Sequence, residues 1–545
     1  MLESKRLLLL IALGWLSVSN NASPTPCTSP TVVVRNGTLQ GLLLENYSQE
    51  AFLGIPFALP PVGNLRLRPP QSLNSTFDFL KVTEYSPFCP GFGSDDDGYT
   101  LDGDCLTLNV VRPKGIVAGS NIPIGLWIHG GSFSEGGSGD VRYNGTWVVQ
   151  RSVAMKKPII FVSVNYRLFT AGFLYSKEIA VEGATNLGLR DQRLAMEWVH
   201  ENIRAFGGDP ERVTIWGESA GAMAISNHLL SSNSTSFFRA AILESGGATT
   251  VNYPTIVDSQ PNYDALVQAV GCEGSSDTVG CLRALPFELW NSVANDLYKN
   301  GIEWLPVVDG DIVPRLPTAQ LAEQDFIHVP LLIGANSDEG TAFATFGIDN
   351  DTALRQALVS RYDLLTENSI DTILSLYPDD PSVGAPYGTG DGVLSTGLQD
   401  KRSCSIFGDT DMIAPRRLLA RAAAVQSSVF SYRFNQVTQN MSMDIGVTHF
   451  QEIPYVFSNP LPTTSPLGNR PSDRALAKLM TSHWISFIHD LDPNYTELNS
   501  TAYWPKYASE ASNMVFERQG SYVEPDNFRE EGIAFINQLG PEMKH

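Results

Sequence analysis

The sequence predicts an α/β fold built on a large, mostly parallel central sheet with helices on both faces. Three observations carry the prediction. Short, continuously apolar runs bounded by turn residues, such as 159–164 and 240–243, read as strands buried on both faces, as strands of parallel sheets are. Segments of helical period alternate with them, as in Leu194, Met196, Trp198 and Ile203 ahead of the strand at 213–216. Residues 206–221, FGGDPERVTIWGESAG, read as strand, sharp turn and helix around Gly217-Glu218-Ser219-Ala220-Gly221.

In chain order, Lys5-Arg6 followed by the apolar run 7–16 and the small residues near Ala22 reads as a secretory signal over residues 1–22, too short to span a bilayer. With no linker-like tract and no repeat period after it, one domain over 23–545 is expected. Residues 31–34 and 39–44 read as strands joined at Asn36-Gly37. The acidic stretch Asp95-Asp96-Asp97-Gly98 lacks the spacing of a calcium loop, because Gly93 stands where the first ligand belongs. Strands follow at 124–128 and 159–164, then at 213–216, 240–243, 330–334 and 429–434.

Composition sets further bounds. A formal net charge of -21 over 545 residues repels nucleic acid and anionic membranes, so neither is expected as a partner. Cys89 with Cys105 and Cys272 with Cys281 are close enough in sequence for local disulfides of an oxidising compartment, and Cys27 and Cys404 are left open. Glycosylation sequons at Asn36, Asn46, Asn74, Asn144, Asn233, Asn350, Asn440, Asn494 and Asn499 agree with an extracellular location. No H-E-x-x-H or paired C-x-x-C is present, so neither metal nor organic cofactor is implied.

Glycines flanking Ser219 let the chain turn sharply and leave the hydroxyl exposed above the sheet, with the next amide beside it. A serine needs a base, and histidine is the usual one. Of eight histidines, His200, His228, His483 and His489 fall in helices, His328 immediately precedes a strand, His129 reads as a packed wall residue, and His545 reads as a mobile terminus. His449, in a loop after the strand 429–434, is left as the base. An acid is expected after the strand at 330–334, where Asp338 and Glu339 are equally able to orient an imidazole.

Residues 206–221 resemble, position by position, the serine signature of the type-B carboxylesterase and lipase family. The stretches 104–110, 129–133, 186–192, 304–310 and 446–457 resemble further blocks of it. The resemblance implies an α/β-hydrolase fold and hydrolysis of carboxylic esters through an acyl-serine, with a small-molecule or lipid ester as substrate. It selects Glu339 as the acid, because the family's acid directly precedes a glycine. It also makes the amides of Gly131, Ser132 and Ala220 an oxyanion hole, Ser132 replacing the family's usual third glycine. A second departure is Gly103, where the family usually carries a Glu paired with the arginine matching Arg66; Asp102 is the available substitute. Family members that act on lipid droplets bracket a long amphipathic lid within the first disulfide. Here that loop is short and acidic, so an esterase of soluble esters is expected over a triacylglycerol lipase, a sterol esterase or a non-catalytic binding relative.

Overall fold

Strands that are apolar at every position must be covered on both faces, and this requirement shapes the molecule. The structure is a computed structural model that describes residues 29–231, 237–439, 441–461, 467–498, 502–508 and 510–545. The signal over 1–22, Cys27 and the sequons at Asn233, Asn440 and Asn499 lie outside the described residues. Ile122–Ile128, Ile160–Val164, Ala240–Glu244 and Leu331–Asn336 are buried at every residue. They belong to a mixed sheet of 11 strands.

Seven neighbouring strands run parallel, in the order Ser512–Phe516, Val429–Phe434, Leu331–Asn336, Ala240–Glu244, Gly208–Glu218, Ile122–Ile128 and Ile160–Val164. Antiparallel strands extend both edges: Tyr522–Pro525 on one, and Thr107–Pro113, Gln49–Pro56 and Leu42–Leu44 on the other. Alternate side chains feed two apolar clusters. Ala241 and Leu243 join one; Ala240 and Ile242 join the other, which the helix Pro471–Asp490 covers with Trp484, Ile485 and Ile488.

Three readings of the sequence need correction. The single strand at 39–44 divides at Gly41: Gly37–Gln40 pairs with Thr31–Val34 in a separate three-stranded sheet, while Leu42–Leu44 crosses to the edge of the large one. The strand 429–434 is not the last, because Ser512–Phe516 pairs beyond it from far along the chain. His545 is no mobile end; it is buried, and its amide donates to Gly540 O at 2.8 Å.

Both expected disulfides form, Cys89–Cys105 and Cys272–Cys281, and Cys404 is buried and free. Asn46, Asn74 and Asn350 are exposed and Asn144 is half-buried. Asn36 is a poor glycan acceptor, since it is buried and its Nδ2 donates to Leu73 O and Ser75 O. The Asn494 amide is likewise spent, on Asp492 Oδ1 and Trp504 O.

Asp526 fastens the far edge of the sheet to the helix Ala414–Ala423. It accepts from Arg416 Nη1 (2.5 Å), Arg417 Nη2 (2.9 Å), Tyr507 Oη (2.6 Å) and Asn513 Nδ2 (3.1 Å). Burial alone would raise its carboxyl, but the two guanidinium groups hold it far below the usual carboxylate range. Asp526→Ala strands two buried cations, and a loss of about 3–5 kcal/mol is expected, read as a lower denaturant midpoint.

Candidate active site

Gly208–Glu218 delivers the chain to Ser219 at the carboxyl end of a central strand, where φ 54° and ψ -125° put a non-glycine residue in strained backbone. The turn is held because the Ser219 amide donates to Glu244 O on the neighbouring strand at 2.9 Å, and Ser219 O accepts from Met223 N at 2.9 Å. The flanking glycines are required by contact rather than by flexibility. A Cβ on Gly221 would stand 2.1 Å from Ile128 O, and one on Gly217 would stand 2.8 Å from both Ile128 O and the Gly221 carbonyl carbon. The helix Ala220–Leu230 can therefore start against the end of Ile122–Ile128.

That adjacent strand runs into Gly130, Gly131 and Ser132. Gly131 has φ 95°, and a Cβ there would meet Glu135 O at 2.2 Å. Ser132 and Phe133 continue in left-handed backbone at 53° and 59°. The amides of Gly131, Ser132 and Ala220 donate to no protein acceptor among the described residues, which leaves three donors free at the serine turn. His129 stacks on Tyr166 with ring centroids 4.4 Å apart, its Nδ1 bonds Gly130 O at 2.9 Å, and burial pushes its pKa down to about 4. It is neutral packing beneath the loop.

Of the two acidic candidates, only Glu339 reaches the histidine. Its Oε2 accepts from His449 Nδ1 at 2.7 Å, while Oε1 accepts from Asn336 N (2.7 Å) and Ser245 Oγ (2.6 Å). Asp338 turns the other way and accepts from Val447 N (2.7 Å) and Tyr387 N (2.9 Å), tying down the loop that carries His449. Both His449 nitrogens meet carboxylates, since Nε2 lies 3.1 Å from Glu218 Oε1. The Ser219 hydroxyl makes no hydrogen bond to His449 or to any other described residue.

Two acids that the sequence reading left without a role complete the surroundings. Glu218 occupies the variable position beside the serine, and Glu452 lies three residues after His449, its Oε2 accepting from Asn336 Nδ2 at 2.6 Å. Their presence in the quoted serine and histidine stretches was the available signal; only the fold shows that they converge. Burial works to lower the His449 pKa, but Glu218 and Glu339 outweigh it and the imidazole is pushed up to about 9. Burial in turn raises the Glu218 carboxyl, with His449 opposing.

The short disulfide loop is pinned to the turn at 130–137. Phe92 N donates to Ser134 O (2.7 Å), Gly136 N to Asp96 Oδ1 (2.9 Å) and Asp95 N to Glu135 Oε2 (2.7 Å), and Arg142 pairs with Asp95 at 2.7 Å. Asp95 and Asp96 are thus structural ties. Asp102 does not replace the missing Glu opposite Arg66: Arg66 makes no ion pair among the described residues, and Asp102 Oδ1 accepts from Asp104 N instead.

Comparison with known proteins identifies the family. The model of the carboxylesterase family matches residues 28–535. A secreted triacylglycerol lipase, LIP1, of Gibberella zeae is 32% identical over 93% of this chain and 90% of its own length. Lipase 4 of Diutina rugosa is 34% identical, over 92% and 95%. Among solved structures, Aspergillus niger EstA superposes with a TM-score of 0.84 at 28% identity, covering 95% of this chain and 99% of that one. A thermophilic PNB esterase gives 0.78 at 26%, covering 93% and 100%. The fold is that of the α/β-hydrolase esterases, and no helix of the described residues is long and apolar enough to cross a membrane. The chain belongs to the carboxylesterase family and is a carboxylic ester hydrolase.

Proposed function

We propose that Ser219 is the nucleophile, His449 its base and Glu339 the acid that orients the imidazole, with the amides of Gly131, Ser132 and Ala220 stabilising the oxyanion. The observation that carries this reading is the 2.7 Å contact of Glu339 Oε2 with His449 Nδ1, one residue along from the strained serine turn through Glu218. His449 Nε2 turns from Glu218 to the Ser219 hydroxyl and takes its proton as Oγ bonds the ester carbonyl carbon. The carbonyl oxygen becomes an oxyanion that accepts from the three free amides. The tetrahedral adduct collapses, Nε2 returns the proton to the departing alkoxide, and an acyl-serine remains. Water, deprotonated by His449, then releases the acid and restores Ser219. Glu339 carries no proton through the cycle; it fixes the Nδ1–H tautomer and stabilises the imidazolium.

The preferred substrates are esters dissolved in water. This rests on the disulfide loop, which is short and is held by three ties to the turn at 130–137 and a fourth to Arg142. The competing reading, a triacylglycerol lipase, is favoured by the printed names of the fungal relatives. Secretion after removal of residues 1–22 is proposed from the leader pattern, and two relatives are named as secreted.

Four outcomes are expected. Hydrolysis of p-nitrophenyl acetate by Ser219→Ala falls by about 10⁴-fold or more with the fold intact by circular dichroism; residual activity near wild type would move the nucleophile elsewhere. The acid limb of the pH profile of kcat/KM reports a raised imidazole pKa, activity rising toward pH 9 as His449 loses its proton. In Glu218→Gln that limb moves to lower pH by roughly one unit or more, because the carboxylate that favours the imidazolium most is gone. The rate on tributyrin passes its solubility limit without a jump; a steep rise at the limit establishes the lipase reading.

A further inference from the structure

Gly103 and Arg66 meet in a cavity of about 290 Å³, lined also by Val62, Pro90, Phe287 and Trp290, well apart in composition from the serine site: none of Ser219, Glu339, His449, Gly131, Ser132 or Ala220 contributes to it. Arg66 is only 9% exposed. Its Nη1 donates to Leu285 O (2.8 Å) and Leu282 O (3.3 Å), and the guanidinium lies 5.4 Å from the Trp290 ring centroid. Nε and Nη2 have no protein acceptor among the described residues. A buried guanidinium ordinarily has a carboxylate partner, because the lost hydration must be offset. Here burial lowers the Arg66 pKa and no neighbouring charge restores it.

The other arginine of the cavity is already satisfied. Arg167 donates to Asp191 through Nε (2.7 Å) and Nη2 (2.6 Å) and to Arg68 O through Nη1 (2.8 Å). Asp102 and Glu288 stand at the exposed rim, Asp102 held by the Asp104 amide. The space at position 103 is real: a Cβ there would meet only Val62 Cγ1, at 3.0 Å, in backbone that any residue adopts.

We propose that this cavity binds a small organic monocarboxylate, with the carboxylate against Arg66 Nε and Nη2 and the hydrocarbon part against Trp290, Phe287, Val62 and Pro90. The planar fork of the free guanidinium edge matches a carboxylate bidentately. The apolar walls select an acid with an aromatic or branched body over a fully hydrated anion. The rim carboxylates disfavour a dianion such as sulfate, yet being exposed they are screened by salt, whereas the buried cation is not.

The test is calorimetric titration of the full chain with benzoate at neutral pH in a buffer free of carboxylates, with benzyl alcohol as the uncharged counterpart. Benzoate is expected to saturate one site, and benzyl alcohol to bind about tenfold or more weakly. Gly103→Glu supplies a carboxylate from the chain and is expected to abolish the titration while p-nitrophenyl acetate hydrolysis is unchanged. Arg66→Gln is expected to abolish it as well. Absence of a saturable benzoate site in the wild type, equal affinity for benzyl alcohol, or binding that survives both substitutions overturns the proposal. The wild-type comparison of the two ligands decides the matter even if Arg66→Gln does not fold.

Discussion

The site depends on one close backbone approach: the serine turn pressed against the end of the strand Ile122–Ile128. With Gly221 so near Ile128 O that no Cβ fits, the helix Ala220–Leu230 begins directly beside the turn at 130–132. This contact forces Ser219 into its strained backbone and groups its neighbour's amide with those of Gly131 and Ser132. Strain of this kind persists only where surrounding structure over-determines it, and here the Ser219 amide is locked to Glu244 O on the next parallel strand. The sheet order is therefore part of the chemistry. Neighbouring parallel strands end together, so their loops converge on one edge.

Electrostatics makes the second layer. Three buried carboxylates, Glu218, Glu339 and Glu452, act on one imidazole, and a fourth, Glu244, lies behind them near Glu218 and Glu452. Glu244 accepts from the indole N–H groups of Trp216 and Trp484 through Oε1, while its Oε2 has no partner among the described residues. Glu339 accepts three hydrogen bonds, which fix its carboxylate in place against His449. Glu218 faces the other ring nitrogen. His449 thus sits between two buried carboxylates, where each charge counts for more than it would at a surface.

A third layer is the disulfide loop, which joins the serine site to the cavity at Arg66. Through Phe92, Asp95 and Asp96 it braces the turn at 130–137, and through Pro90, Asp102, Gly103 and Cys105 it lines the cavity. Gly103 offers Arg66 no charge partner on one side of this loop, while the brace stands on the other side. Of the acidic centre of this loop, Asp96 accepts from the Gly136 amide and Asp95 pairs with Arg142, while Asp97 is exposed.

The serine turn, the succession of buried strands and the placement of His449 in a loop were legible in the sequence because each is a local pattern. A glycine pair around a serine, an unbroken apolar run and a histidine in a loop are fixed by neighbours in the chain. Glu339 was separable from Asp338 only by resemblance, since two adjacent carboxylates have the same chemistry and differ only in the direction the backbone gives them. The crossing at Gly41, the edge strand Ser512–Phe516 and the burial of His545 were decided by pairings across long stretches of chain. So were the convergence of Glu218 and Glu452 on His449 and the unpaired state of Arg66. The sequence by itself determined which residue types are available and how each short segment folds. The tertiary structure alone decided which charges meet, because burial, hydrogen bonding and distance between remote residues exist only after the sheet has closed around them.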